Sequence, residues 1–405
     1  MLSGRHGLVL ASLAVSACAG PDLQTVLAGN SNLTQFNALL GSFGDITAPF
    51  SSLQHLSILA PSNDAFNKIA YSDLGPAFAA NDTDTIRAVL EYHILNGTLE
   101  STTIQTTPLF LPTYLTNDSY VNFTGGAPVQ AVRQAGDVIV FVSGLGSRST
   151  LTQPDIAFDG GTIQVIDTFL VPPQDFMNTT RQFNLTAMGG AASKAGLNDT
   201  LDTEENVTIF APNNDAFARV GSGLENMTVE ELTKVLGYHV INGTVNFSTM
   251  LNNNTVLVSS TGLNLTIYSG SNSQYVNNAQ LLQKDIILSN GVMHIIDNVL
   301  DYNATDVTPN PAIPTQPPII PGTSVADTPF TSDFPTTVSS SPSNSATSSS
   351  GSNAAATAAA TSGAAATSAT GATKTSKGGA APTLASDSGM VAALFGGAAF
   401  MAAML

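Results

Sequence analysis

The chain has 405 residues, 43% of them hydrophobic, with 29 acidic against 12 basic side chains and a formal net charge of −17. Its few lysines and arginines form no cluster that could track phosphates, which excludes nucleic acid as a partner. Cys18 is the only cysteine and falls in the leader described next, so the mature chain has no disulfide, thiolate metal site or cysteine nucleophile, and must be stabilised by cores alone.

Arg5 and His6 precede an apolar run from Leu8 to Val15, and Ala17-Cys18-Ala19 supplies the small-x-small pattern of a signal-peptidase site. Residues 1–19 therefore read as a signal peptide cleaved before Gly20.

Three sequence blocks then occur twice in the same order. Ser57 to Phe66 (SILAPSNDAF) matches Thr208 to Phe217 (TIFAPNNDAF), Glu91 to Thr98 (EYHILNGT) matches Gly237 to Thr244 (GYHVINGT), and Gly161 to Asp167 (GTIQVID) matches Gly291 to Asp297 (GVMHIID). Two copies of one domain are expected, over 20–171 and 172–303. The first block reads as a short buried strand closed by Pro61 or Pro212, followed by a helix capped by oxygens of Ser62-Asn63-Asp64 or Asn213-Asn214-Asp215. Ile86, Val89, Leu90 and His93 share one helical face, as do Leu232, Val235, Leu236 and His239, and Thr228 with Glu231 has the spacing of a capping box. Asn96-Gly97 and Asn242-Gly243 are expected to stop these helices in a left-handed turn. The third block predicts a hairpin, entered at Asp155-Ile156 and turning at Asp159-Gly160 in copy one. In copy two it is entered at Asp285-Ile286 and turns at Asn290-Gly291. Extra length in copy one lies mostly between Thr98 and Asp155, where a longer loop or hairpin is expected. Helices ahead of clustered strands, without regular alternation, give an α+β class.

Asn-x-Ser/Thr sequons are dense. They stand at Asn32, Asn81, Asn96, Asn117, Asn122, Asn178, Asn184, Asn198, Asn226, Asn242, Asn246, Asn253, Asn264 and Asn303. One more, Asn206, is set apart as too close to a strand of the core. From Ala304 the composition turns Pro-rich and then Ser/Thr/Ala-rich, without large apolar residues at a useful period. Residues 304–380 therefore read as a disordered, O-glycosylated stalk, or in the plainer alternative an unmodified linker. Small residues near Gly378 and Gly379, a polar spacer and an uncharged apolar tail match a glycosylphosphatidylinositol (GPI) signal, with 381–405 removed and lipid attached at Gly378 or Gly379. A short C-terminal membrane helix is the alternative.

No catalytic elbow, triad order, zinc motif or Gly-rich phosphate loop is present, and the histidines outside the leader do not cluster. No enzyme activity, cofactor or metal is expected. Asp64, Asp215, Asp167 and Asp297 are the carboxylates repeated in the blocks. A surface glycan hydrolase would need two of them facing one sugar, but their positions suit helix starts and strand ends.

The ordered blocks resemble the fasciclin domain family from Gly20 to about Tyr302, and the anchor and stalk resemble its fungal surface members. The resemblance implies a seven-stranded β-wedge flanked by a helical bundle, and a role in cell adhesion or surface interaction. It also implies partner contact at Tyr92, His93, Tyr238 and His239, and at Asp155, Ile156, Asp285 and Ile286. Copy one departs from the last motif, with Gln164 where copy two has His294. On the residues alone, the two histidines read as hydrogen-bonded core groups, Tyr92 and Tyr238 as partly exposed, and both isoleucines as core. The expected partners are matrix, wall or cell-surface components, homophilic contact included, with the membrane reached through the lipid. A structural wall glycoprotein without a binding face is the competing reading.

Overall fold

The computed structural model describes residues 20–44, 55–270, 273–304, 307–313 and 315–335. The expected signal peptide, Gly378, Gly379, the apolar tail and the Ser/Thr/Ala part of the expected stalk lie outside them.

Copy one opens with helices Leu23–Gly29 and Thr34–Ser42, then strand β1 (Leu56–Pro61) and helices Asn63–Lys68, Gly75–Ala80 and Thr83–Tyr92. Strands β2 (Ile94–Leu95), β3 (Leu109–Pro112), β4 (Pro128–Arg133), β5 (Ile139–Val142), β6 (Arg148–Phe158) and β7 (Gly161–Ile166) follow. Copy two repeats the plan, with helices Phe176–Gln182, Thr186–Ala195 and Asn198–Thr203 ahead of β8 (Val207–Pro212). Helices Asn214–Arg219, Gly221–Glu225 and Val229–Tyr238 come next, and then β9 (Val240–Ile241), β10 (Val256–Val258), β11 (Asn264–Ser269), β12 (Gln274–Val276), β13 (Ala279–Ile287) and β14 (Gly291–Ile296). Each copy forms a seven-stranded sheet, ordered β2-β1-β7-β6-β5-β4-β3 in the first and, read from the matching edge, β9-β8-β14-β13-β12-β11-β10 in the second. Only β1 with β7 and β8 with β14 run parallel, so the α+β class holds, with the same mixed sheet built twice.

The first block explains the centre of each sheet. Every residue of β1 and β8 is buried, because neighbouring side chains enter different cores. Leu56, Ile58 and Ala60 face the helical core while Leu59 joins the cluster under the far strands; Ile209 and Phe210 divide in the same way. A strand covered on both faces reads as a continuous apolar run rather than an alternating one. The parallel neighbours lie so close that a Cβ at Gly161 would strike the Leu56 carbonyl, and one at Gly291 the Val207 carbonyl.

Three expectations need correction. The helices ending in Tyr92 and Tyr238 stop there, with His93 and His239 as C-caps, and not at Asn-Gly. The next two residues are taken by β2 and β9, pairing with β1 and β8, and Asn-Gly turns the chain only afterwards. In copy two the hairpin turn is Ser289-Asn290, since Leu288 N–H donates to Gly291 O and Gly291 belongs to β14. Third, the chain does not leave domain two at 304. A strap over the described residues of 307–335 lies along its helices, with Ile320 and Phe330 buried. Phe334 packs where Gly189 has no side chain, the Phe330 carbonyl fills the space a Cβ would need at Gly190, and Val325 lies against Gly221. Arg181 donates to Pro335 O at 2.8 Å, and Lys194 Nζ sits 4.8 Å from the Phe330 ring centre. A strap needs no hydrophobic period, because each anchor finds its own recess.

Candidate functional site

The Tyr-His pairs stand at the ends of equivalent helices, and all four side chains are fully buried. Tyr92 Oη donates to Pro128 O at 2.9 Å; Tyr238 Oη donates to Asn264 O at 2.7 Å and accepts from Asn277 Nδ2 at 2.9 Å. Each tyrosine therefore ties its helix to β4 or β11 through the second core, and the expected partial exposure is not found. Each histidine turns the other way. His93 Nδ1 lies 2.6 Å from Val89 O and its Nε2 accepts Leu170 N–H at 3.0 Å. His239 repeats this with Val235 O at 2.7 Å and Leu300 N–H at 2.9 Å. The Nδ1–H tautomer satisfies both atoms with no charge, and burial lowers each histidine pKa from 6.5 to about 4.

The Asp-Ile pairs mark irregularities in β6 and β13, where Asp155 (φ 55°) and Asp285 (φ 63°) are left-handed. Asp155 is exposed and Ile156 half-buried; Asp285 and Ile286 are buried. Asp155 accepts Ser101 N–H at 2.9 Å and the Ser101 hydroxyl at 2.5 Å, and Asp285 takes the same two groups of Ser248. For Asp155, partial burial raises the pKa, but the bonds from Ser101 and Gln164 outweigh it and the net shift is downward. Behind each aspartate, Gln164 and His294 do one task. Gln164 accepts Asp155 N–H at 3.0 Å and donates to Leu99 O at 2.8 Å, while His294 accepts Asp285 N–H at 3.2 Å and its Nε2 lies 2.9 Å from Asn246 O. The departure of copy one from the last motif thus keeps the geometry. Burial lowers the His294 pKa, against the pull of the Asp285 carboxylate.

Two of the four repeated carboxylates, Asp167 and Asp297, have bonded partners close by. Of the expected capping run, Ser62 and Asn213 are the caps, and Asp64 and Asp215 lie in the first helical turns. Asp167 accepts Thr150 N–H and Asp297 accepts Gln280 N–H, both at 2.7 Å, closing the ends of β7 and β14 against their neighbours. Among the described residues no group of three or more His, Cys, Asp or Glu is arranged to hold a metal.

Sequence reasoning missed two sets of residues. Asn63 Nδ2 donates to Ser31 O at 2.9 Å and its Oδ1 accepts Gln35 N–H at 3.0 Å; Asn214 holds Asn184 O and Ala187 N–H in the same way. The repeated Asn of the first block was the available signal. The second set is the seam between the domains. The extra length of copy one forms the β3–β4 loop, 113–127, and its Asn122 N–H donates to Ser289 O at 2.7 Å. Phe110 stacks on Phe247 at 3.7 Å, and beside them opens a cleft of about 450 Å³ lined by Phe123, Pro128, Asn206 and Thr244.

The sequons divide by burial. Asn81, Asn96, Asn117, Asn184, Asn226, Asn242, Asn253, Asn264 and Asn303 are exposed, while Asn32, Asn122, Asn178, Asn198 and Asn206 are partly buried. Asn246 is buried, with Nδ2 3.3 Å from Thr208 Oγ1, and its amide cannot carry a sugar in the folded domain. Among the described residues no helix is long and apolar enough to cross a membrane.

The fasciclin domain model matches residues 31–172 and 183–302. A fasciclin-like arabinogalactan protein of Arthroderma benhamiae is 28% identical over 76% of this chain and 74% of its own. Another, from Phaeosphaeria nodorum, is 27% identical over 69% of this chain and 88% of its own. The transforming growth factor-beta-induced protein ig-h3 of Sus scrofa is 31% identical, over 35% of this chain and 21% of its own. With both copies matched and the same seven-stranded sheet built twice, the chain belongs to the fasciclin domain family.

Proposed function

We propose that the protein is a secreted surface glycoprotein, tethered by a GPI lipid, that binds matrix, wall or other-cell components through the outer surface of its domain pair. It performs no catalysis. The observation that carries this reading is the distribution of sequons. Nine of their asparagines stand exposed over both domains, while the repeated motif side chains are mostly turned inward to hold the fold. A soluble domain pair with so many acceptor sites suits an extracellular surface. The arabinogalactan names of the fungal relatives accord with it.

The burial of Tyr92, His93, Tyr238, His239, Asp285 and Ile286 favours one competing reading, a structural wall glycoprotein whose glycans matter more than any binding face. Adhesion of cells and wall fragments to the immobilised, glycosylated chain 20–335 separates the two. Saturable adhesion that survives enzymatic deglycosylation of the folded protein supports the binding reading. Adhesion that disappears with the glycans supports the structural one, and no adhesion at all overturns the proposal.

A further inference from the structure

The seam is closed by two sequons. Asn122-Phe123-Thr124 of domain one meets Asn206-Val207-Thr208 of domain two. Asn206 grips Thr124 with both ends of its side-chain amide: Oδ1 accepts Thr124 N–H at 3.2 Å, and Nδ2 donates to Thr124 Oγ1 at 2.7 Å. Asn122 Nδ2 donates across the seam to Thr203 O at 2.9 Å. The nitrogens that would carry sugar are among the groups that hold the domains together.

Amide geometry makes the conflict specific. A substituted amide takes the trans form, because the cis form of a secondary amide costs about 2.5 kcal/mol. An N-linked sugar therefore replaces the hydrogen on the same side as Oδ1. In Asn206 that is the side on which both atoms bind Thr124, so the first sugar ring would stand where Thr124 stands. In the folded protein Thr208, the hydroxyl residue of this sequon, is buried, its Oγ1 donating to Thr244 O at 2.7 Å. The Asn206 sequon is thus open to modification only before β8 enters its sheet.

We propose that Asn206 is a glycosylation-gated latch. A chain unmodified there docks its domains, and a chain that receives an N-linked oligosaccharide there folds with the domains apart. In the modifying step Nδ2 forms a bond to C1 of a polyprenyl-diphosphate-linked oligosaccharide, the C1–O bond to diphosphate breaks, the polyprenyl diphosphate leaves with that bonding pair, and the amide proton is released. The separated form uncovers the facing rings of Phe110 and Phe247 and opens out the cleft that the two domains line together. The latch rests on the secreted, glycosylated reading above.

The test is the full chain made in a eukaryotic secretory host, separated by size, with X-ray scattering and glycopeptide mapping on each fraction. The expected result is a compact fraction without sugar on Asn206 and an extended fraction enriched in it at least about tenfold. Asn206→Asp removes the sequon but keeps an acceptor for Thr124 N–H and for its hydroxyl, and is expected to abolish the extended fraction. Sugar on Asn206 in the compact fraction overturns the latch. So does its absence from every fraction while exposed sequons such as Asn81 and Asn264 are occupied. A chain without sugar at any sequon overturns the secreted reading and the latch together.

Discussion

Gln164 and His294 hold the same two groups in the two copies, an aspartate N–H and a carbonyl, with an amide in one and an imidazole in the other. His294→Gln is therefore expected to cost less than about 1 kcal/mol, whereas His294→Leu orphans a buried donor and acceptor and is expected to cost about 2–5 kcal/mol. Urea titrations of the two variants check this. The paired motif histidines set a pH dependence. An unfolded histidine takes its proton near 6.5 and folded His93 and His239 only at about 4. Their neutral forms thus support the fold fully above pH 6.5, and that support is lost between 6.5 and 4, on the order of 3 kcal/mol for each. Asp202 acts with the opposite sign. Burial, with the nearby Asp175 carboxylate, pushes it up to about 7, so its ionised form weakens the fold at neutral pH and protonation relieves this as pH falls. Asp202→Asn is expected to stabilise the protein by about 1–3 kcal/mol near pH 8 and by nothing near pH 4. Denaturant midpoints across that range check both signs, and a His93→Gln/His239→Gln variant should show a flatter fall than the parent. Histidines in phase with apolar helical positions were legible as core groups. The inward turn of Tyr92 and Tyr238 was not, because helical periodicity marks one apolar stripe and these side chains enter a second core beneath the sheet.

At the scale of elements, local chemistry was readable where it was self-contained. The capping box of Thr228 and Glu231 is present, and so is the Asp159-Gly160 turn between Phe158 and Gly161. It was unreadable where a distant partner decides the outcome. Ile94-Leu95 and Val240-Ile241 leave the helix because β1 and β8 offer pairing edges, which no helix-stop rule contains. The strap is the larger example, since its recesses are made by glycines more than a hundred residues away. Burying the side chains of Ile320 and Phe330 stabilises by roughly 1.5–3 kcal/mol each. A chain ending at Asn303 is expected to melt several degrees below one ending at residue 335. Gly190→Ala, whose Cβ meets the Phe330 carbonyl, should make 315–335 the first site of limited proteolysis in the longer chain.

For the whole molecule, duplication was plain from the ordered blocks, but the docking of the copies was not. The extra residues of copy one read only as a longer loop, and their purpose shows when Asn122 and Thr124 reach domain two. Phe247→Ala removes the stacked ring from Phe110 and is expected to broaden the scattering profile of the chain toward an extended form while each domain keeps its own melting transition. The repeated Tyr-His pairs lock the fold, and under the proposed function adhesion belongs to the outer surface. The most direct test of this division is Tyr92→Phe/Tyr238→Phe in the chain 20–335, with stability and adhesion per folded molecule measured side by side. The loss of buried hydroxyls bonded to Pro128 O, Asn264 O and Asn277 predicts about 1–3 kcal/mol of destabilisation with adhesion unchanged. Unchanged stability with adhesion lost would contradict it and return these tyrosines to the role of partner contacts.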